Sequence, residues 1–268
     1  MSDRIEHAEK IWKERVWAYI TELFKGNWLP SHDPGHHYRV WKNACLVSRD
    51  LLNNNPVSDE YFFEKLFIAC FFHDTGLLID KGEKHGKYSR DICRKFLNKN
   101  MDLVKFDTAK MLSAIELHDD KEYISVSNFR NDLLYSILAL SDDMDAFGAM
   151  GVYRYIEIYL KRNIDIRQMP QRILQNASQR FDHLSGTAAE TELDIKAIRV
   201  MFKRLITLVT EASFSEKPET LIEWINKEII LPQCYPEEII VQYGNHKPEN
   251  SRISLFIDLY REEASTFI

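Results

Sequence analysis

Phe62-Phe63-Glu64-Lys65-Leu66-Phe67-Ile68-Ala69-Cys70-Phe71-Phe72-His73-Asp74-Thr75-Gly76 carries the strongest structural signal in the chain. Phe62, Phe63, Leu66, Phe67, Ala69 and Cys70 lead into Phe71-Phe72 at helical spacing and leave almost no polar face. Such a segment is expected to be a central helix buried among other helices, with Ser58 or Asp59 able to cap its start. It ends in two adjacent polar groups, His73 and Asp74, whose unpaired burial would cost several kcal/mol. A bound metal ion offsets that cost, because neutral imidazole and carboxylate are both good ligands. Gly76 is expected to let the helix stop abruptly.

The flanking sequence has the same period. Ile5, Ala8, Trp12, Tyr19 and Leu23 predict an amphipathic helix that stops near Gly26. Val40, Ala44, Val47 and Leu51 predict another, ending at Asn53-Asn54-Asn55-Pro56. Further helices are expected near 85–99, 104–118, 131–146, 150–163, 168–181 and 187–213, with one short strand-like run from Ile239 to Tyr243. The reading is an all-α helical bundle over residues 1–213. A short C-terminal extension, 214–268, is broken up by Glu216-Lys217-Pro218, Pro232, Pro236 and Pro248, and its role is left open.

Bulk composition narrows the function classes. The chain has 268 residues, a formal net charge of −6 and only nine glycines. None of these forms a G-x-G pair, which excludes dinucleotide fingerprints and glycine-loop phosphate cradles. A mildly acidic chain is not built for bulk nucleic-acid backbone binding. No apolar run reaches the length of a membrane span, and the charged start MSDRIEHAEK does not resemble a secretion signal. Cys45, Cys70, Cys93 and Cys234 form no C-x-x-C pair, and buried free thiols in a reducing cytoplasm fit best.

Two more clusters share the character of His73-Asp74. In His32-Asp33-Pro34-Gly35-His36-His37-Tyr38-Arg39-Val40, Pro34-Gly35 signals a turn, which places His36 in the first helical turn and Arg39 one turn further along that face. Ser141-Asp142-Asp143-Met144-Asp145-Ala146-Phe147-Gly148 follows the apolar run Leu133–Leu140, so a second buried helix delivers carboxylates at its end. Taken singly, each cluster has a structural explanation as a cap or a satisfied core histidine. Their order along the chain, His … His-Asp … Asp, is more specific.

That order resembles the HD superfamily of metal-dependent phosphohydrolases, in its stand-alone bacterial branch. His32-Asp33-x-x-His36-x-x-Arg39-Val40 is similar to the branch's H-D-x-x-H-x-x-R-V opening, and Phe72-His73-Asp74-Thr75-Gly76 to its F-H-D-[IT]-G core. Asp142-x-x-Asp145-Ala-x-Gly148-Ala-x-Gly151-Val152-x-Arg154 is similar to its D-R-L-D-A-x-G-x-x-G-x-x-R run. Thr187-Ala188 and the helix through Arg204 match its closing segment more loosely, so the resemblance spans about residues 28–213.

The resemblance implies an all-α fold with His36, His73, Asp74 and Asp142 as metal ligands. His37 competes with His36 for the first place, while His32 and Asp33 are expected to support or cap. His85 lies in a segment similar to the family's H-E-x-S-A, with Gly86 in place of the Glu, and His118 closes an I-x-x-H. Both are expected to bind substrate or a second ion. The implied cofactor is a divalent metal (Mn, Mg, Co, Ni or Fe), one ion with room for a second.

Asp74 is expected to hold the ion and orient the attacking water, and Asp145 to orient a ligand or meet a substrate hydroxyl. Arg39, Lys84 and Lys87 are expected to hold phosphate. The implied activity is hydrolysis of a phosphoester or phosphoanhydride bond in a nucleotide or related small molecule. A cyclic nucleotide phosphodiesterase, a di-iron oxygenase and a non-catalytic regulatory module are the alternatives. The expected partner is a small phosphate substrate, in the cytoplasm, with no membrane or nucleic-acid partner and homo-oligomerisation left open.

Overall fold

The computed structural model describes residues 1–52, 57–119, 132–210, 220–243 and 248–265. Among them the protein is all-α, with no strand. The helices are α1 (Ser2–Phe24), α2 (Pro34–Leu52), α3 (Phe62–Phe72), α4 (His85–Lys99), α5 (Ala109–Leu117) and α6 (Leu133–Met144). They are followed by α7 (Gly148–Lys161), α8 (Met169–Glu190), α9 (Lys196–Thr210), α10 (Leu221–Ile225), α11 (Pro236–Gln242) and α12 (Ser251–Ser265). No described helix is long and apolar enough to cross a membrane. The expected helix stop at Asn53–Pro56 and the break at Glu216–Pro218 lie outside the described residues.

The chain forms two compact units. The first comprises residues 1–27, 32–144 and 184–194. Its centre is α3, packed among α1, α2, α4, α5 and α6. Leu66, Phe67, Ile68, Cys70, Phe71 and Phe72 are fully buried, and each large side chain removed from water contributes about 1.5–3 kcal/mol. Glu64 is buried on the same helix because the indole Nε1 of Trp12 donates to its Oε2 at 2.6 Å. Asn43 Nδ2 on α2 donates to the Ser141 carbonyl on α6 at 3.1 Å, tying the middle of one helix to the last turn of the other.

The second unit comprises residues 28–31, 145–183 and 195–268, so helices from both sides of residue 213 belong to it. Here α7 packs against α9 and α12. Phe147, Phe181 and Phe202 form a ring cluster. Glu263 of α12 is buried and accepts a hydrogen bond from the Met150 backbone N–H in the first turn of α7 at 3.0 Å.

Three sequence expectations are corrected. The strand-like run from Ile239 to Tyr243 falls in α11 and the turn after it. Pro236 at the first helical position and the acidic residues Glu237 and Glu238 start a helix that overrides the β-branched run. The helices expected at 168–181 and 187–213 instead break at residues 191–195. There Thr191 Oγ1 turns back to the Thr187 carbonyl at 2.7 Å and also receives Leu193 N–H at 3.3 Å, competing with the helical ladder. Gly76 is not a helix stop: α3 ends at Phe72, and Gly76 lies in a short 3₁₀ turn, Thr75–Leu78.

Candidate metal centre

Each polar group of interest sits at a helix end. His36 is in the first turn of α2, where Asp33 Oδ1 accepts its backbone N–H at 3.1 Å, so Asp33 acts as a cap. His73 directly follows α3 and Asp74 follows His73. Asp142 lies in the last turn of α6, His85 opens α4, and His118 directly follows α5. Six side chains from five helix ends therefore enter one buried region of the first unit.

They form two groups with Asp74 in both. Ligand atoms of His36, His73, Asp74 and Asp142 all lie within 4.8 Å of one another, and so do those of Asp74, His85 and His118. Asp74 divides its oxygens between them. Oδ2 is 3.4 Å from His36 Nε2 and 3.3 Å from His73 Nε2. Oδ1 is 3.0 Å from His118 Nε2 and 3.5 Å from His85 Nε2. Asp142 Oδ1 completes the first group at 3.7 Å from both His36 and His73. His32 stands just behind, with Nε2 3.8 Å from Asp74 Oδ2.

The imidazoles are oriented by backbone. His73 Nδ1 meets the Cys70 carbonyl at 2.8 Å, His85 Nδ1 the Gly82 carbonyl at 2.7 Å, and His118 Nδ1 the Ile115 carbonyl at 2.8 Å. A carbonyl only accepts, so Nδ1 carries the hydrogen in all three and Nε2 faces the centre. This is the arrangement by which metal-binding histidines are held and made more basic. Sequence reasoning missed these carbonyls, although the signal was available: each lies three residues before its histidine.

The electrostatics suit a cation. Burial opposes the charged imidazole of His73, but Asp74 and Asp142 outweigh it and push its pKa up to about 10. Burial also opposes ionisation of Asp74, yet His73, His118 and His36 hold its carboxyl well below the usual range. His85 is shifted down by burial and by the neighbouring His118. One shared carboxylate facing four imidazole nitrogens, with a second carboxylate beside it, fits a hard or borderline divalent ion.

His37 is fully buried but outside both groups: its ring lies against Phe24, Phe71, His36 and His73, and neither ring nitrogen has a hydrogen-bond partner among the described residues. Burial, with His73 and His36 adjoining, pushes its pKa well below the usual value. Arg39 is buried on α2, while Lys84 and Lys87 are exposed on either side of His85. Asp145 belongs to the second unit, where its buried carboxylate pairs with Arg154 Nη1 at 3.0 Å. Comparison with protein-family models, curated proteins and solved structures found no match for the chain.

Proposed function

We propose that this chain is a metal-dependent phosphohydrolase of the HD type, cleaving a phosphoester or phosphoanhydride bond of a nucleotide or related small molecule. The observation that carries the reading is the convergence of His36, His73, Asp74 and Asp142, all buried, with ligand atoms within 4.8 Å of one another. These are the four residues that the sequence resemblance implies as ligands, and they come from three helices far apart in the chain. His36, His73, Asp74 and Asp142 would hold one ion, and Asp74 with His85 and His118 a second.

A divalent ion in such a site neutralises charge on a phosphoryl oxygen and lowers the pKa of a water molecule toward about 7. The chain's own residues supply the rest. Asp74 presents its two oxygens to different histidine pairs, so with the first group alone filled it would bind through Oδ2 and leave Oδ1 to accept a hydrogen bond from the attacking water. The Cys70, Gly82 and Ile115 carbonyls hold the imidazoles of His73, His85 and His118 with Nε2 turned toward the centre. Lys84 and Lys87, exposed close to His85 in the chain, are the residues that would hold substrate phosphates.

The reading is tested by screening nucleotides and phosphomonoesters for phosphate or pyrophosphate release with Mn²⁺, using His73→Ala as the control. No release from any substrate, or equal release from the variant, rejects it. A second reading, a di-iron oxygenase, is favoured by one observation: the second group, Asp74–His85–His118, adjoins the first through a shared carboxylate. Two tightly held irons in protein purified without chelator, with O₂ consumption and no phosphate release, would select it.

A further inference from the structure

We propose that Gly86 and the Arg90–Glu116 ion pair are positioning residues that set occupancy of the second ligand group, Asp74–His85–His118, independently of the first. This rests on the metal-centre reading above. A Cβ placed on Gly86 would lie 2.2 Å from the Glu116 carbonyl oxygen and 3.0 Å from its carbonyl carbon. Both atoms are main chain, so any side chain at position 86 forces α4 away from α5. Those two helices carry His85 and His118, whose Nε2 atoms are 3.3 Å apart and share Oδ1 of Asp74.

Glu116 is held a second time. Its Oε2 accepts from Arg90 Nη1 at 2.6 Å, one turn along α4 from Gly86, and Asp91 Oδ1 steadies the same guanidinium at 3.0 Å. The carbonyl of Glu116 thus sets how closely α5 approaches α4, and its carboxylate keeps the helices together.

The opposite side of His85 is fixed by the same means. A Cβ on Gly76 would lie 1.9 Å from the His85 carbonyl oxygen, and Ser89 Oγ accepts the Gly76 N–H at 2.8 Å. The first turn of α4 is therefore seated between two glycine contacts. None of these contacts involves His36, His73 or Asp142, so the second group can be disturbed while the first is kept.

The variants are Gly86→Ala, Arg90→Met and Arg90→Lys. Each is stripped of metal, checked for helicity and cooperative melting, and titrated with Mn²⁺. Ions are counted by native mass spectrometry, and spin coupling is read by electron paramagnetic resonance. The wild type is expected to take two ions with a coupled spectrum. Gly86→Ala and Arg90→Met are expected to keep the first ion at wild-type affinity and to lose about 10–100-fold at the second, leaving the six-line spectrum of an isolated Mn²⁺. Arg90→Lys is expected to recover part of that loss.

Retention of both ions at wild-type affinity overturns the inference, as does equal loss of both. One ion in the wild type overturns it while leaving the metal centre standing, and none overturns the metal reading as well. Should Gly86→Ala fail to fold, Arg90→Met, at a partly exposed position, carries the same test.

Discussion

Nε2 of His118 lies 3.0 Å from Oδ1 of Asp74, while the other oxygen of that carboxylate faces His36 and His73. One carboxylate thus serves two groups of imidazoles, and its loss must be felt by both. Asp74→Asn is expected to abolish binding of every ion, whereas His118→Ala removes only the second. Metal counts by mass spectrometry after Mn²⁺ loading check this, and an Asp74→Asn protein that keeps its full complement contradicts it.

His37 is buried with neither ring nitrogen hydrogen-bonded to a described residue. A buried polar group left unsatisfied costs about 1–3 kcal/mol. His37→Leu, which fills similar space with an apolar side chain, is expected to raise the melting temperature by several degrees and leave the metal count unchanged. A lower melting temperature or a lost ion would show that the imidazole has a polar role.

Glu64 is buried on α3 and receives the indole N–H of Trp12. Glu64→Ala leaves that donor buried and unpaired and is expected to destabilise the protein by about 1–3 kcal/mol. Glu64→Gln keeps an acceptor in place and is expected to cost clearly less. Denaturant unfolding of the two variants checks the order, and equal losses contradict it.

The pKa of His73 is pushed up to about 10 against burial by Asp74 and Asp142. The imidazole is then protonated at neutral pH until an ion takes the proton's place. Metal affinity is expected to rise with pH between about 7 and 9, with proton release on binding. Calorimetry in buffers of different ionisation enthalpy measures that release, and its absence contradicts the assignment. The sign for ion-free stability is opposite. The folded pKa lies above the unfolded value of about 6.5, so the contribution is full below that pH and is lost as pH rises toward 10.

The sequence made the all-α fold legible through α3, because a helix apolar on every side has to be surrounded by others. It also exposed His73, Asp74 and Asp142 as polar groups at the ends of apolar helices and His36 just after a turn signal, while their joint role as ligands, and the choice of His36 over His37, rested on the family resemblance. The division of labour between the Asp74 oxygens could not be read, because it depends on where His85 and His118 arrive from helices distant in the chain. The role of Gly86 was hidden for the same reason: its neighbour is the carbonyl of residue 116. At Ile239–Val241 local propensity misled, because the Pro236-Glu237-Glu238 start signal outweighed three β-branched residues.

The most direct test of the metal centre is a crystal grown with Mn²⁺ and measured for anomalous scattering. The account predicts a strong peak enclosed by His36, His73, Asp74 and Asp142, with a second beside His85 and His118 bridged by Asp74. No peak within reach of these side chains, or manganese bound only elsewhere on the protein, would contradict it.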